Sequence, residues 1–366
     1  MKLPSFASPL GEPQTRAAPA PAYRLLQAGQ DITGRLTGRL IALTLTERRG
    51  LEADQLDIEL DDGDGQLALP ARGAKLCLAL GWAGQPLVPK GTFVVDEIEH
   101  TGAPDRLIIR ARSADLRGGM AAKQERSFHR NTVGEVVRAI AQRHSLMAVI
   151  HPALRELAVD HLDQTGESDA NLLTRLADLV GAVATVKQDR LLFMKPGEAL
   201  SASGLPLPPF ILTRASGDEH RFSMAERDAY TGVRAYYQDT RRARKGEVSV
   251  PADAPPSHGN ASAPSNIKEL RHLYANRQNA QRAAQAEWQR IQRGLATFSI
   301  TLARGDAALF PERPVVVRGW KAGIDGDRWV IKETMHSLSA DGGFRTGVGL
   351  EVRCESGTKE WAQPRD

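Results

Sequence analysis

The sequence predicts an α+β, mainly β protein with two small antiparallel β-barrel domains, an intervening α/β domain and an inserted long helix. Three observations carry that reading. Apolar and polar residues alternate with period two through residues 23–118, and the pattern returns from Ala296 to Val352. After Gly118 the apolar spacing changes to the helical period. From Asn276 to Leu295, Ala280, Ala283, Ala284, Trp288, Ile291 and Leu295 share a helical face interrupted by Glu287, opposite Gln278, Arg282, Gln285, Gln289 and Arg293. The implied division is 1–22 flexible N-terminal tail, 23–118 first barrel, 119–205 α/β middle domain, and 206–240 with 296–354 second barrel. Residues 241–295 are an inserted loop and long helix packing with the middle domain, and 355–366 are a C-terminal tail.

In the first barrel Ile41, Leu43 and Leu45 alternate, and Leu56, Ile58 and Leu60 alternate with Gln55, Asp57, Glu59 and Asp61, giving one wet and one buried face. Further strands are expected at Lys75–Leu80, Gly91–His100 and Arg106–Arg112. Asp61-Asp62-Gly63-Asp64-Gly65 resembles a fragment of a calcium loop, but the terminal Glu and full ligand set are missing, so an Asp-Gly hairpin turn is the better reading. In the middle domain Thr132-Val133-Gly134-Glu135 is a capping-box pattern ahead of an apolar face of Val133, Val136, Val137, Ile140 and Ala141. A second helix is expected from Ser168 or Asp169, burying Leu172, Leu173, Leu176, Leu179 and Val180 and ending at Gly181. Ala184–Lys187 and Arg190–Met194 form a hairpin, and Gly197–Pro209 is linker-like. Strands resume at Arg221–Phe222 and Thr231–Asp239. Gly294 closes the long helix by adopting positive φ, after which Ala296, Phe298, Ile300 and Leu302 alternate with Thr297, Ser299 and Thr301. The prolines of Phe310–Pro314 keep that stretch extended before Val315–Val317, and Trp329–Leu338 turns through Ser339–Gly343 into a last strand ending at Val352.

Composition narrows the function classes. The chain has 366 residues, 41% hydrophobic and 25% charged, with a mean hydropathy of -0.35. No apolar run approaches the roughly 18–20 residues that span a bilayer, so membrane insertion is not expected. The first 21 residues repeat Pro and Ala without an apolar core region and read as a tail, not a secretory signal. Cys77 and Cys354 provide neither a disulfide framework nor a four-ligand metal site, and both are expected to be reduced and buried. A net charge of +4 and a pI near 9.1 raise the question of nucleic acid. Basic residues are spread along the chain and aromatics are only 5%, which argues against a stacking, basic face. The one dense basic run, Arg241, Arg242, Arg244 and Lys245, leads into a Pro-, Ala- and Ser-rich stretch and reads as a mobile surface loop or a contact to an acidic protein surface.

Catalytic patterns are missing. The nine His include no His-Glu-x-x-His arrangement, and no Gly-x-Ser-x-Gly elbow or phosphate-binding loop occurs. Two acid pairs could cut a glycosidic bond, Glu97 with Glu99 and Glu167 with Asp169. Glu97 and Glu99, however, share a strand face opposite Val94, Asp96 and Ile98, as on a solvated strand edge. The Asp163–Asp169 block reads as helix capping and interdomain hydrogen bonding. No catalytic, cofactor-binding or metal-ligating residue is therefore predicted, and no cofactor.

The block "FSITLARGDAALFPERPVVVRGW" (Phe298–Trp320) resembles the C-terminal part of the phage late control gene D family, the baseplate hub proteins of contractile tails, related to the hub part of VgrG spike proteins. Leu40–Trp82, Lys90–Leu116, Asp163–Asp178 and Glu226–Tyr237 follow that family's order, so the resemblance covers most of residues 23–352. It implies a structural, non-enzymatic hub: a homotrimer whose pseudo-six-fold ring joins the hexameric tail tube to the trimeric central spike. The implied partners are the tail tube protein, the central spike protein and other baseplate proteins, with the tape measure protein as a further candidate. The implied location is the baseplate of a virion tail or tail-like particle, assembled in the bacterial host cytoplasm. The alternatives are a nucleic-acid-binding or late-gene regulatory protein and, third, a tail-associated peptidoglycan hydrolase. The residues themselves add one expectation: in a closed ring the edge strands of each barrel should be covered by the next barrel.

Overall fold

Leucine-rich alternation builds the first strand-rich body. Its elements are β1 (Pro21–Gln27), β2 (Gln30–Asp31), the single turn α1 (Thr33–Leu36), β3 (Leu40–Arg48), β4 (Gln55–Asp61), β5 (Lys75–Trp82), β6 (Val88–Thr101) and β7 (Arg106–Ser113). Neighbours run β3-β4-β7-β6-β5-β1-β2, all antiparallel. Leu25 of β1 and Leu43 and Leu45 of β3 meet in the same core as Leu56, Leu78, Phe93 and Leu107, so the sheet wraps around one interior, as a barrel wall does. The computed structural model describes residues 20–113, 119–187, 189–224, 230–239, 243–251 and 266–353.

Two sequence expectations fail in this body. Asp61–Gly65 is not a hairpin, because β4 lies between β3 and β7 while the next strand in the chain, β5, pairs with β6 and β1. Its acids instead accept from the turn's own amides, Gly63 N–H to Asp61 (2.9 Å) and Leu67 N–H to Asp62 (2.9 Å). A bulge between Val95 and Glu97 also breaks the assumed alternation. Phe93 and Val95 point inward and Ile98 packs against the same core, so Val94 and Ile98 do not share a face.

The middle body comprises β8 (Lys123–Thr132), α2 (Val133–Arg143), β9 (Met147–Ile150), α3 (Pro152–Arg155), β10 (Ala158–Ser168), α4 (Asp169–Val180), β11 (Val183–Lys187) and β12 (Arg190–Met194). The predicted capping box is present, with Glu135 N–H donating to Thr132 Oγ1 (3.2 Å) and Thr132 N–H to the Glu135 carboxylate (2.7 Å). Ser168 caps α4, and Gly181 ends it in the left-handed conformation at φ 65°. The long ribbon β8–β10 escaped the sequence reading. Its polar run through Arg126, His129 and Arg130 lacks an apolar alternation.

After this come β13 (Phe210–Thr213), β14 (Gly217–Met224), β15 (Gly232–Asp239), β16 (Arg244–Val250), β17 (Ile267–Tyr274), α5 (Arg277–Gly294), β18 (Ala296–Leu302), β19 (Pro314–Arg318), β20 (Gly326–Ser339) and β21 (Gly343–Val352). β14-β18-β21-β20-β19-β13 form the second barrel wall around Phe298, Val317, Trp329 and Leu350. In chain order β13, β14, β18, β19, β20 and β21 occupy the places that β1, β3, β4, β5, β6 and β7 occupy in the first body. One pairing differs in sense: β13 runs parallel to β19, whereas β1 is antiparallel to β5. β3 also pairs with β20, so the two walls are one 13-stranded sheet.

Residues 232–239 do not belong to this wall, which corrects the expected second barrel. β15 sits between β16 and β17 in a separate three-stranded sheet. The expected loop over Arg241–Ser265 therefore contains strand β16, whose Val248 packs with Val233, Ala235, Ala280 and Ala284. Arg241, Arg242 and 252–265 lie outside the described residues. On α5 the fully covered side chains are these alanines, while Trp288 and Ile291 are half-buried at the margin. Gly181 faces Ala286 closely enough that a Cβ there would come within 3.2 Å, which seats α5 against the end of α4. Gly294 remains helical and Leu295 follows in the right-handed conformation, so the helix ends without the expected positive φ.

Candidate assembly interface

The contact between the two walls is a seam built on charge. β3 and β20 pair antiparallel from Arg48 with Glu333 to Ala42 with Ser339. Inward alternation places Glu47 where Leu43 and Leu45 precede it, and Thr334, His336 and Leu338 face it from β20. Lys90, from the start of β6, reaches into this layer. Its ammonium donates to Glu47 (2.7 Å) and to the Leu309 carbonyl (3.2 Å) and lies 3.0 Å from His336 Nε2. Thr334 Oγ1 donates to Glu47 (3.2 Å), and His336 Nδ1 meets Thr346 Oγ1 at 2.9 Å.

Burial raises the Glu47 carboxyl, but the His336 hydrogen bond and the Lys90 charge outweigh it and hold the group at about 2. Burial lowers both Lys90 and His336, opposed in each case by Glu47. The seam thus brings a carboxylate and an ammonium together beside the buried His336 imidazole, whose Nε2 lies within hydrogen-bonding distance of both.

A second tie lies beside it. Arg49, after β3, bridges Glu312 and Glu351 of the second wall, and Arg293 at the end of α5 also reaches Glu351 (3.4 Å). Glu312 further accepts from Gly197 N–H (2.7 Å), and burial raises its pKa against the Arg49 charge. Asp54 pairs with Lys187 of the middle body. The sequence reading placed Arg293 on the polar face of the long helix, whereas it is buried here, and the other residues did not stand out. The available signal was a charged residue at an inward position of an apolar alternation, as at Glu47 and His336.

Among the described residues, some sheet edges carry no further strand. β14 ends the sheet with mostly exposed side chains, Met224 among them. β13 exposes Ile211, and the neighbouring loops expose Leu205 and Phe310, tied together where Arg313 Nε donates to the Pro208 carbonyl (3.3 Å). Isolated exposed apolar residues need no explanation, but several beside free strand edges mark a contact surface.

The acid pairs do not converge on a reaction centre. Glu97 and Glu99 both accept from Arg110 (2.8 and 3.0 Å) on the outer face. Glu167 accepts from Arg175 (2.7 Å). Asp169 is buried, accepting from Gln164 (2.8 Å) and lying 2.8 Å from His144, both of the middle body, so its bonds are internal to that body and not interdomain. Cys77 is half-buried, 3.3 Å from Thr92 Oγ1, not fully covered as expected, and Cys354 lies outside the described residues. Among the described residues no group of three His, Cys, Asp or Glu could hold a metal ion, and no helix is long and apolar enough to cross a membrane.

The model of the phage tail baseplate hub family matches residues 48–342, well over half of the chain. The chain belongs to that family. The probable baseplate hub proteins of Escherichia phages 186 and P2 are 47% and 44% identical to this hub, each match covering 91% of this chain and 93% of the relative. In fold the hub is similar to a tail protein from Neisseria meningitidis MC58 (TM-score 0.67, 16% identity, covering 91% of this chain and 96% of that chain). It is also similar to an E. coli component of the type VI secretion system described as resembling T4 bacteriophage tail proteins (TM-score 0.55, 13% identity, 91% and 77% covered). The hub is a structural component of the virion tail, and hub proteins of this kind associate with other tail components. Its seam fixes the two β bodies relative to each other.

Proposed function

We propose that three copies of this hub close into a ring that joins a six-fold tail tube to a three-fold central spike in a contractile tail. Each copy contributes two β bodies, so three copies present six in near-equivalent positions on the tube side and three chains on the spike side. The observation that supports this reading is the shared strand order of the two bodies, β1, β3, β4, β5, β6, β7 in one and β13, β14, β18, β19, β20, β21 in the other. The hub acts as a non-catalytic adaptor assembled in the host cytoplasm, with the tube, spike and other baseplate proteins as its partners. The charge layer around Glu47 keeps the two bodies at a fixed angle, which a symmetry adaptor requires.

The test is an electron cryomicroscopy reconstruction of the assembled tail. Three copies in one ring, with the two β bodies of a copy superposing after a rotation of about 60°, are expected. Six copies, or bodies that do not superpose, would refute the proposal.

A further inference from the structure

The β8–β10 ribbon carries a histidine pair that neither the fold nor the seam uses. Among the described residues β8 and β10 pair only with each other. Phe128 and Leu162, directly opposed, turn one face of the ribbon to the middle core. On the other face His129 is opposed to His161, and Ser127 to Asp163 on the next rung, all four exposed. The two histidines are 32 residues apart in the chain and form no spacing motif, so only the strand pairing brings them together. His129 Nδ1 lies 2.9 Å from His161 Nδ1, with the ring centroids 4.5 Å apart. His161 Nε2 lies 2.6 Å from Asp163 Oδ2, and Ser127 Oγ donates to the other carboxylate oxygen at 2.5 Å. A carboxylate only accepts, so the proton of the His161 ring sits on Nε2 and its Nδ1 keeps a lone pair. The proton between the rings then belongs to His129 Nδ1, and that exposed ring can carry it on Nε2 instead, which frees a second lone pair beside the first.

We propose that His129 and His161 chelate one divalent late transition-metal ion, Cu(II) or Ni(II), through their two Nδ1 atoms, with water in the remaining positions. The spacing selects the metal. Two nitrogens bound at a right angle through bonds of about 2.0–2.1 Å, as in square-planar or octahedral coordination, stand about 2.9 Å apart, whereas tetrahedral zinc with the same bonds sets them about 3.3–3.4 Å apart. Asp163 supplies the carboxylate that orients a ligating histidine and raises its basicity, and is itself fixed by Ser127. Arg175 reaches the Asp163 carbonyl (2.6 Å), not its carboxylate, and is paired with Glu167 (2.7 Å), so the acid keeps its charge for the imidazole. A bound ion ties the two strands together on their exposed face. A two-stranded ribbon is marginal by itself, so the clamp acts where the fold supplies least.

The test uses the purified full-length hub carrying Cys77→Ser and Cys354→Ser, so that no thiol competes, titrated with Ni(II) by calorimetry and with Cu(II) by electron paramagnetic resonance. One ion per chain is expected, with hyperfine coupling from two imidazole nitrogens. His129→Ala and His161→Ala should each remove the two-nitrogen signal, and Asp163→Asn, a positioning residue acting through His161, should weaken binding about 10–100-fold. His272→Ala should change neither. Saturating Ni(II) should slow hydrogen exchange in residues 123–132 and 158–168 of the parent protein and not of His129→Ala. Coupling to a single nitrogen, or an affinity that His129→Ala leaves unchanged, would place the ion elsewhere and overturn the site. The lack of a saturable one-to-one site up to about 1 mM metal would overturn it as well, leaving the pair a plain hydrogen bond.

Discussion

Replacing Glu47 with Gln strands the Lys90 ammonium in a layer where, among the described residues, its charge has no other carboxylate at hydrogen-bonding distance. Breaking one side of such a buried pair costs about 3–5 kcal/mol, so the urea midpoint of Glu47→Gln should fall sharply, whereas Glu97→Gln on the surface should change it little. The pH dependence has a definite sign. Glu47 is held at about 2 in the folded chain against 4.5 ordinarily, so its contribution is complete above about pH 4.5 and is lost as pH falls towards 2. That gap corresponds to about 3 kcal/mol. His336 acts in the same direction: burial lowers its pKa, so the unfolded chain takes up a proton near pH 6.5 before the folded chain does. Thermal midpoints measured from pH 7 to 3 should therefore decline more steeply for the native chain than for Glu47→Gln, and parallel curves would contradict this account. Trp329 is fully buried and its Nε1–H donates to the Ile324 carbonyl (2.7 Å), so Trp329→Ala should cost about 3–5 kcal/mol. Trp288, on the apolar face of α5, is half-buried, and in thermal unfolding Trp288→Ala should cost only about 1–2 kcal/mol.

At the scale of elements, strands and helices with a strong apolar period were readable, and those held in place by distant partners were not. α2 and α4 were legible because Thr132, Ser168 and Gly181 carry their end signals locally. β16 was not, because its sequence, Arg-Lys-Gly-Glu-Val-Ser-Val, offers only Val248 and, in part, Val250 to the core and owes its place to β15 beside it. Excising Arg244–Val250 should thus unfold the β15–β17 sheet and its α5 cover instead of trimming a loop. Faster hydrogen exchange confined to β15, β17 and α5 is the expected outcome, and unchanged protection there would refute it. The Asp61–Gly65 turn misled for a related reason. Its local chemistry is that of a turn, but which strand follows in space is decided by β7 packing against β4.

For the whole molecule, the duplicated barrel signal was present in the alternation of both halves, and the family was legible from blocks spread along the chain. The fusion of the halves was invisible, since Glu47 meets Thr334 and His336 across nearly three hundred residues of intervening chain. That fusion has a mechanical consequence. Ladder hydrogen bonds run perpendicular to the strands, so the seven residue pairs joining β3 to β20 respond differently to force from different directions. Tension along the strands loads every bond in shear at once, whereas tension across them peels the bonds one after another. Optical-tweezer pulling on handles placed at the two ends of the seam should give a higher rupture force along β3 than across it. A tail that recoils would then strain its hub safely in one direction and open it in the other.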